Sequence, residues 1–157
     1  MSGASIRPVR GDEVAACERI LRALPEWFGI EEALRRYVAD VPRLETLVAA
    51  EAGEVIGFLS IKRHNPSSAE IHVIGVHPDH HGRGIGRALM DAAEAALRAD
   101  GTEFLQVKTL GPSRPNEPYE RTRGFYRHLG FRPLEENDLW GEGNPCLILV
   151  KHLGCSG

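Results

Sequence analysis

A glycine-rich segment between an apolar run and a long alanine-rich stretch constrains this chain more than any other feature. The segment covers residues 77–89 and reads HPDHHGRGIGRAL. Its glycines stand at alternate positions, Gly82, Gly84 and Gly86. Because glycines leave no side chains between backbone and ligand, successive N–H groups converge on an anion where the next helix begins. Arg83 and Arg87 add two cations, so the pattern predicts a phosphate-binding loop at a strand-to-helix junction.

The spacing of the glycines excludes two common phosphate loops. The dinucleotide fingerprint requires Gly-x-Gly-x-x-Gly, and its last position is occupied here by Arg87. A P-loop needs four residues between its glycines and then Lys followed by Ser or Thr, which this segment lacks. A glycine-rich turn without a ligand remains the alternative interpretation.

Two segments of the chain resemble the GNAT N-acetyltransferase superfamily. Gly84 and Gly86 match the Arg/Gln-x-x-Gly-x-Gly/Ala loop that holds the pyrophosphate of acetyl-CoA, and His81 stands where that family has Arg or Gln. Residues 124–131, GFYRHLGF, resemble the Phe-Tyr-x-x-x-Gly-Phe segment of the same family. The resemblance covers about Leu47 to Phe131. It implies an α/β fold with a mixed, mostly antiparallel sheet of six to seven strands, a central parallel strand pair and about four helices.

The resemblance also implies a set of residues that bind acetyl-CoA as co-substrate. The pantetheine arm pairs in this family with the strand before the glycine loop, and Gly75 would permit a bulge that frees the amides there. Tyr119 occupies the place of an asparagine that commonly touches the pantetheine. The expected cofactor-binding residues are Ile74, Gly75, Val76, His81, Gly82, Arg83, Gly84, Ile85, Gly86, Arg87 and Tyr119.

Three residues are candidates for the chemistry of acyl transfer. An amine is mostly ammonium at neutral pH, so its attack requires a base. Glu70 and His72 alternate with apolar residues on the strand that leads to the loop, so both are expected on one face of it. Glu70 resembles the glutamate base of histone-type members, and His72 the histidine of arylalkylamine-type members; which of them is the base stays open. The alternative for this pair is that one member is structural, as in a hydrogen bond across the sheet. Tyr126 resembles the family tyrosine that faces the sulfur and donates a proton to the departing thiolate, and the alternative is that it only packs, with its hydroxyl capping a neighbour.

Composition places the chain among ordinary soluble domains. Its 157 residues predict one domain, 1–157, with 42% hydrophobic and 26% charged residues. We expect no membrane span and no signal peptide. The net charge of −3 argues against a nucleic-acid partner. The three cysteines, Cys17, Cys146 and Cys155, lack CxxC spacing and predict free thiols in a reducing cytoplasm. The histidines are scattered along the chain, so we expect no metal site.

Apolar periodicity and turn residues predict the order of the elements. Strands are expected at about 5–9, 44–51, 55–62, 69–76, 104–109, 131–134 and 146–151. Helices are expected at about 12–24, 30–41, 85–100 and 119–129. In the third helix, the predicted apolar face holds Ile85, Leu89, Ala92 and Ala96, and the predicted polar face holds Asp91, Glu94 and Arg98. Loops are expected at Leu110 to Pro118 and at Glu135 to Asn144.

The acceptor is expected to be a small amine, and a polycationic one is the sharper hypothesis. Acidic residues surround three aromatic residues in segments that the family places near the acceptor, and the candidate substrate-binding residues are Trp27, Phe28 and Trp140. The acidic residues are Glu26, Glu31, Glu32, Glu135, Glu136, Asp138 and Glu142. Ordinary solvated surface charge is the alternative. A second class of function also stays open, namely a non-catalytic acyl-CoA sensor or interaction module. The sequence does not determine the oligomeric state, and a homodimer is one of the states that it leaves open.

Overall fold

The computed structural model of the chain describes residues 3–154. The strands are β1 (Ser5–Pro8), β2 (Glu45–Glu51), β3 (Glu54–Asn65), β4 (Ser68–Val76), β5 (Phe104–Leu110), β6 (Arg132–Asn137) and β7 (Cys146–His152). The helices are α1 (Val14–Arg22), α2 (Glu31–Asp40), α3 (Ile85–Ala99) and α4 (Glu117–His128). Short 3-10 turns at Gly11–Glu13 and Pro78–His80 precede α1 and α3.

The strands form one seven-stranded mixed sheet in the order β1-β2-β3-β4-β5-β7-β6. Strands β4 and β5 pair in parallel, whereas β1 with β2, β2 with β3, β5 with β7 and β6 with β7 are antiparallel. A parallel pair needs a long connection, which here contains α3. The expected fold class, with its central parallel pair and four helices, is confirmed.

The described chain divides into two compact units. The first contains residues 3–62 and 72–97, and the second contains residues 63–71 and 98–154. The division passes through β4, between Ile71 and His72. The expectation of a single domain stays a prediction.

An apolar cluster forms the core of the first unit. Helix α1 buries Cys17, Ile20 and Leu21 completely, because their spacing of three and four residues places them on one helix face. Phe58 of β3 and Val73 of β4 belong to the same cluster. The helix itself begins at Val14, two residues later than expected, because Gly11–Glu13 forms a 3-10 turn first.

The second unit has its own buried residues. Alternate residues of β5, Leu105 and Val107, are buried, as the period of a strand with one covered face requires. Phe131 is fully buried after α4, and its ring lies 5.6 Å from that of Tyr126. Helix α4 begins at Glu117, so the prediction that the loop extends to Pro118 is wrong. The Asn116 side chain accepts a hydrogen bond from the Tyr119 N–H and caps the helix two residues earlier.

Two further expectations about local structure are wrong. Glu94, expected on the polar face of α3, is buried, because the buried face runs through Ile85, Leu89, Ala93 and Leu97 rather than through Ala92 and Ala96. Strand β6 continues to Asn137, into the loop expected from Glu135, because pairing with β7 persists beyond an irregularity between Pro133 and Glu135.

Two of the cysteines are described by the structure. Cys17 and Cys146 are buried free thiols, and burial raises the pKa of Cys17 to about 12; Cys155 lies outside the described residues. Within residues 3–154, no helix is both long and apolar enough to cross a bilayer.

Candidate functional site

The glycine loop of the first unit has the backbone conformation that its sequence predicts. Gly82 and Gly84 have φ angles of +77° and +78°, a region that favours glycine. Apart from the adjoining residues, no heavy atom of the described chain lies within 4 Å of a Cβ built on either. The Gly84 carbonyl accepts the N–H of Ala88, so α3 begins directly after the loop. The N–H groups of the first turn of a helix have no acceptors within that helix. The loop therefore presents open backbone donors at the positive end of a 15-residue helix.

Strand β4 leads directly into this loop. Its ladder with β5 joins Ser68–Ile71 to Phe104–Val107, and β4 continues to Val76 within the first unit. Toward β3, the His77 N–H donates to the Ile56 carbonyl at 2.8 Å. Because backbone groups alternate in direction along a strand, Ile74 and Val76 direct their N–H groups away from β3.

The His81 side chain connects the loop to the end of β4 by a hydrogen bond. Its Nε2 lies 2.7 Å from the Val76 carbonyl oxygen, to which the ring N–H donates. The imidazole thus has a partner within the protein at the position where the family has Arg or Gln.

Arg83 is held by a carboxylate of the neighbouring strand. Its guanidinium lies 2.5 Å from Oε2 of Glu51, at the end of β2, and 2.7 Å from Nδ1 of His80. The hydrogen bond with Glu51 raises the pKa of Arg83, and the hydrogen bond from Arg83 lowers that of Glu51. Arg87 lies 3.8 Å from Asp91 one turn along α3, at an exposed site.

Gly75 has a packing role that the sequence did not indicate. A Cβ at this position would lie 3.3 Å from Cγ2 of Ile20 and 3.5 Å from Cδ1 of Leu24. The glycine therefore lets α1 lie close against β4. The bulge expected at Gly75 stays a prediction.

His72 is the candidate catalytic residue of the first unit, and it is held by two residues of α2. Its Nε2 lies 3.0 Å from Oδ2 of Asp40, and its ring centroid lies 5.2 Å from that of Tyr37 at an angle of 62°. Tyr37 in turn contacts the ring of Phe28 edge-on at 5.7 Å. Trp27 and Phe28, both predicted to bind substrate, pack against the apolar cluster of the first unit. The structure thus joins Phe28 to His72 through Tyr37.

Glu70 is the candidate catalytic residue of the second unit, and three donors surround one of its oxygens. Oε1 lies 2.8 Å from Nε2 of His64, 3.2 Å from Nε2 of Gln106 and 3.3 Å from Nζ of Lys108. Burial by itself raises the pKa of this carboxyl group. The hydrogen bonds from His64, Gln106 and Lys108, together with the positive charge of Lys108, outweigh that effect and hold the pKa below its ordinary value.

The remaining predicted residues of the second unit lie on α4 and on the loop after β6. Tyr126 is 6% exposed and packs between the rings of Phe125 and Phe131. Tyr119 is partly buried in the first turn of α4. Trp140 is 40% exposed.

The acidic residues of the predicted acceptor region have different surroundings. Arg22 and Arg35 hydrogen-bond Glu31 and lower its pKa to about 2, so its charge is balanced by two cations. Glu136 accepts a hydrogen bond from Ser113. Glu32, Asp138 and Glu142 are exposed or partly exposed.

Sequence reasoning missed the residues that contact the candidate side chains. The sequence pattern places Asp40 and Tyr37 on a helix and gives them no further role. An acidic residue at the carboxyl end of a helix does indicate a role outside the helix, because the helix dipole disfavours a negative charge there. His64, Gln106 and Lys108 gave no local signal, since they reach Glu70 from other strands or from six residues away.

Comparison with known proteins identifies the family of this chain. The sequence model of the family described as "Acetyltransferase (GNAT) domain" matches residues 42–133. A protein of Chlorobaculum tepidum named as an uncharacterized N-acetyltransferase is 27% identical over 153 residues, covering 94% of this chain and 90% of that protein. The mycothiol acetyltransferase of Beutenbergia cavernae is 34% identical over 89 residues, covering 57% of this chain. The chain spans only 28% of the length of that relative.

Solved structures agree on the fold. A GNAT-family protein from Desulfovibrio desulfuricans superposes with a TM-score of 0.86 at 18% identity, covering 96% of this chain and 99% of that one. The yncA protein of Salmonella typhimurium, solved with its cofactor acetyl-CoA, gives a TM-score of 0.74 at 18% identity and covers 98% and 96% of the two chains. The GNAT family uses acetyl-CoA as its co-substrate. With its fold and more than half of its length matched, the chain belongs to the GNAT acetyltransferase family.

Proposed function

We propose that this protein transfers an acetyl group from acetyl-CoA to the nitrogen of a small primary amine, by direct attack within a ternary complex. The observation that carries the proposal is that β4, with the N–H groups of Ile74 and Val76 directed away from β3, runs directly into the glycine loop and the N-terminus of α3. An extended amide-containing arm pairs with such strand N–H groups, and a pyrophosphate binds at such a helix terminus.

The residues of this segment fit the parts of acetyl-CoA. The N–H groups of Ile74 and Val76 would pair with the pantetheine arm and polarise the acetyl carbonyl group. Gly82 and Gly84 leave open space where any larger residue would place a Cβ, so the pyrophosphate can approach the backbone. The first turn of α3, Ile85 to Arg87, supplies further donors.

The contacts of the two candidate bases favour His72. The carboxylate of Glu70 is already stabilised by three donors, and its lowered pKa makes it a weak proton acceptor. His72 has one acceptor, Asp40, on one ring nitrogen. A histidine is also well suited to remove a proton near neutral pH.

Tyr126 is proposed as the acid that protonates the departing thiolate of coenzyme A. Its position in the Phe-Tyr segment supports this role, and the flanking rings of Phe125 and Phe131 restrict its side chain. A fixed hydroxyl donor lowers the cost of expelling a thiolate.

The acceptor is proposed to be a small amine that approaches past Phe28. This aromatic residue lies in the chain of ring contacts that ends at His72. A polycationic amine remains the sharper hypothesis for the acidic residues of this region, although Glu31 contributes little to it because two arginines balance its charge.

The test is release of free thiol from acetyl-CoA in the presence of a panel of amines, with the product identified by mass spectrometry. We expect thiol release that depends on an amine, and a loss of about 10²–10⁴-fold in kcat for His72→Gln with little change in the KM for acetyl-CoA. Tight binding of acetyl-CoA without thiol release for any amine would instead support the non-catalytic sensor.

A further inference from the structure

Asp40 occupies a position that is electrostatically unfavourable by itself. It is the last residue of α2, where the carbonyl ends of the helix dipole disfavour an anion, and the last turn of this helix contains no basic residue. Its side chain is 31% exposed and lies 3.0 Å from His72. Helix stability therefore gives no reason for an aspartate at this position, whereas the contact with His72 does.

The contact determines which ring nitrogen of His72 carries the proton. An aspartate carboxylate can only accept hydrogen bonds, so the Nε2 of His72 that faces Asp40 must carry its hydrogen. In the neutral ring the other nitrogen, Nδ1, is then an acceptor. Among residues 3–154, no group hydrogen-bonds this Nδ1.

The ring is also fixed in orientation. Tyr37 lies three residues before Asp40, one turn back on the same face of α2, and packs against the imidazole at a centroid distance of 5.2 Å. The His72 side chain is 21% exposed, so one part of the ring still reaches solvent. One helix thus supplies both a hydrogen-bond acceptor and a packing surface to a single histidine.

We propose that Asp40 is a positioning residue of the active site, which holds His72 in the Nε2–H tautomer so that Nδ1 can take the proton of the acceptor amine. This inference rests on the proposed function. In the reaction, an N–H proton of the amine passes to Nδ1 and the amine nitrogen forms a bond with the acetyl carbonyl carbon. The carbon–sulfur bond then breaks and its electron pair leaves with the sulfur of coenzyme A. The departing thiolate takes up a proton, imidazolium releases the proton of the amine to solvent, and the products are the acetamide and the thiol form of coenzyme A.

The first measurement reads the tautomer without any need for activity. Long-range ¹H–¹⁵N spectra of the histidine-labelled protein distinguish protonated from unprotonated ring nitrogens, and His72→Gln identifies the signals. They are recorded at about pH 9, well above the ordinary histidine pKa of about 6.5. We expect the Nε2–H form of His72 in the parent and a shift toward the Nδ1–H form in Asp40→Asn, whose amide can donate to Nε2. An Nδ1–H form in the parent would overturn the proposal.

The second measurement separates positioning from general stability. Asp40→Asn should lower kcat by about tenfold or more while the KM for acetyl-CoA stays within about twofold. Asp40→Glu keeps a carboxylate and should retain the Nε2–H tautomer and part of the lost kcat. The matched control is Asp12→Asn, the same chemical change at an exposed position of the first unit, which should match the parent in both measurements.

The outcomes separate this inference from the proposed function. A parent that acetylates amines, with Asp40→Asn equal to it in kcat, overturns the assignment of Asp40 alone. A parent that acetylates no amine overturns the proposed function and the role of His72 together. Circular dichroism shows whether Asp40→Asn folds. If it does not fold, Asp40→Glu tests the proposal instead, and a folded Asp40→Glu protein in which His72 has lost the Nε2–H tautomer contradicts it.

Discussion

Replacing Glu70 by glutamine distinguishes a structural carboxylate from a catalytic base. The substitution preserves the size of the side chain but removes the charge that faces Lys108 at 3.3 Å. Lys108 is 25% exposed, so it would keep a partly buried ammonium group without its counter-charge. Leaving one member of such a pair unmatched costs about 1–3 kcal/mol, less than for a fully buried pair because water still reaches the lysine. For a chain of this size, that loss corresponds to a decrease in Tm of about 2–10 °C.

The pH dependence of this stability has a definite sign. The pKa of Glu70 is lowered in the folded protein, so its contribution is complete above the pKa of about 4.3 of an unfolded glutamate. The contribution is lost as the pH falls through the lower pKa of the folded state. The difference in stability between the parent and Glu70→Gln should therefore be largest near neutral pH and should shrink below about pH 4, as measured by thermal unfolding across this range.

A double variant tests whether the pair is the cause. Lys108→Met added to Glu70→Gln removes both charges, and at least part of the lost stability should return. In assays of thiol release, Glu70→Gln should keep kcat within about fivefold of the parent, because the proposed base is His72. A loss of about 100-fold or more in kcat with an unchanged Tm would refute this reasoning and identify Glu70 as the base.

Three further predictions follow from the loop, the acid and the acceptor. Gly84→Val should weaken acetyl-CoA binding about tenfold or more in calorimetry, because its side chain would occupy the open space beside the loop backbone. Gly101→Val, which imposes the same backbone strain at a glycine of similar φ outside the loop, is the control that should leave the affinity unchanged. Tyr126→Phe should lower kcat with acetyl-CoA, and an acetyl thioester with a better leaving group should restore part of that kcat. Equal losses of kcat with both thioesters would count against an acid role for Tyr126. If the acceptor is a polycation, its KM should rise between about 50 mM and 500 mM salt, and an anionic amine as the best acceptor would contradict the hypothesis.

The order of the elements could be predicted because most of its signals are local. The alternation of apolar residues in β4 and the glycines of the following loop each specify backbone structure within a few residues. The start of α4 also has a local signal, since Asn116 followed by a proline in the first turn is typical of a helix N-terminus. The burial of Glu94 had none, because the buried face of α3 depends on which neighbours cover it.

The candidate site was only partly predictable for a related reason. The loop is one continuous segment, so its glycines indicated both its conformation and its possible ligand. The partners of the two candidate bases come from distant positions, because Asp40 is 32 residues from His72 and Lys108 is 38 residues from Glu70. The sequence identified the residue types suited to the chemistry, whereas tertiary contacts decide which of them keeps that capacity.

Strand β4 shows how such contacts assign different roles to two similar candidates. Glu70 and His72 are two residues apart, and strand alternation alone would make them equivalent. Glu70 is 5% exposed and accepts hydrogen bonds from three donors, an arrangement that stabilises its anion and weakens it as a base. His72 has a single acceptor, which fixes one nitrogen as a donor and makes the other the basic one. A group that must take up a proton needs an unoccupied lone pair more than it needs a favourable position in a motif, and by that criterion we propose His72 rather than Glu70 as the base.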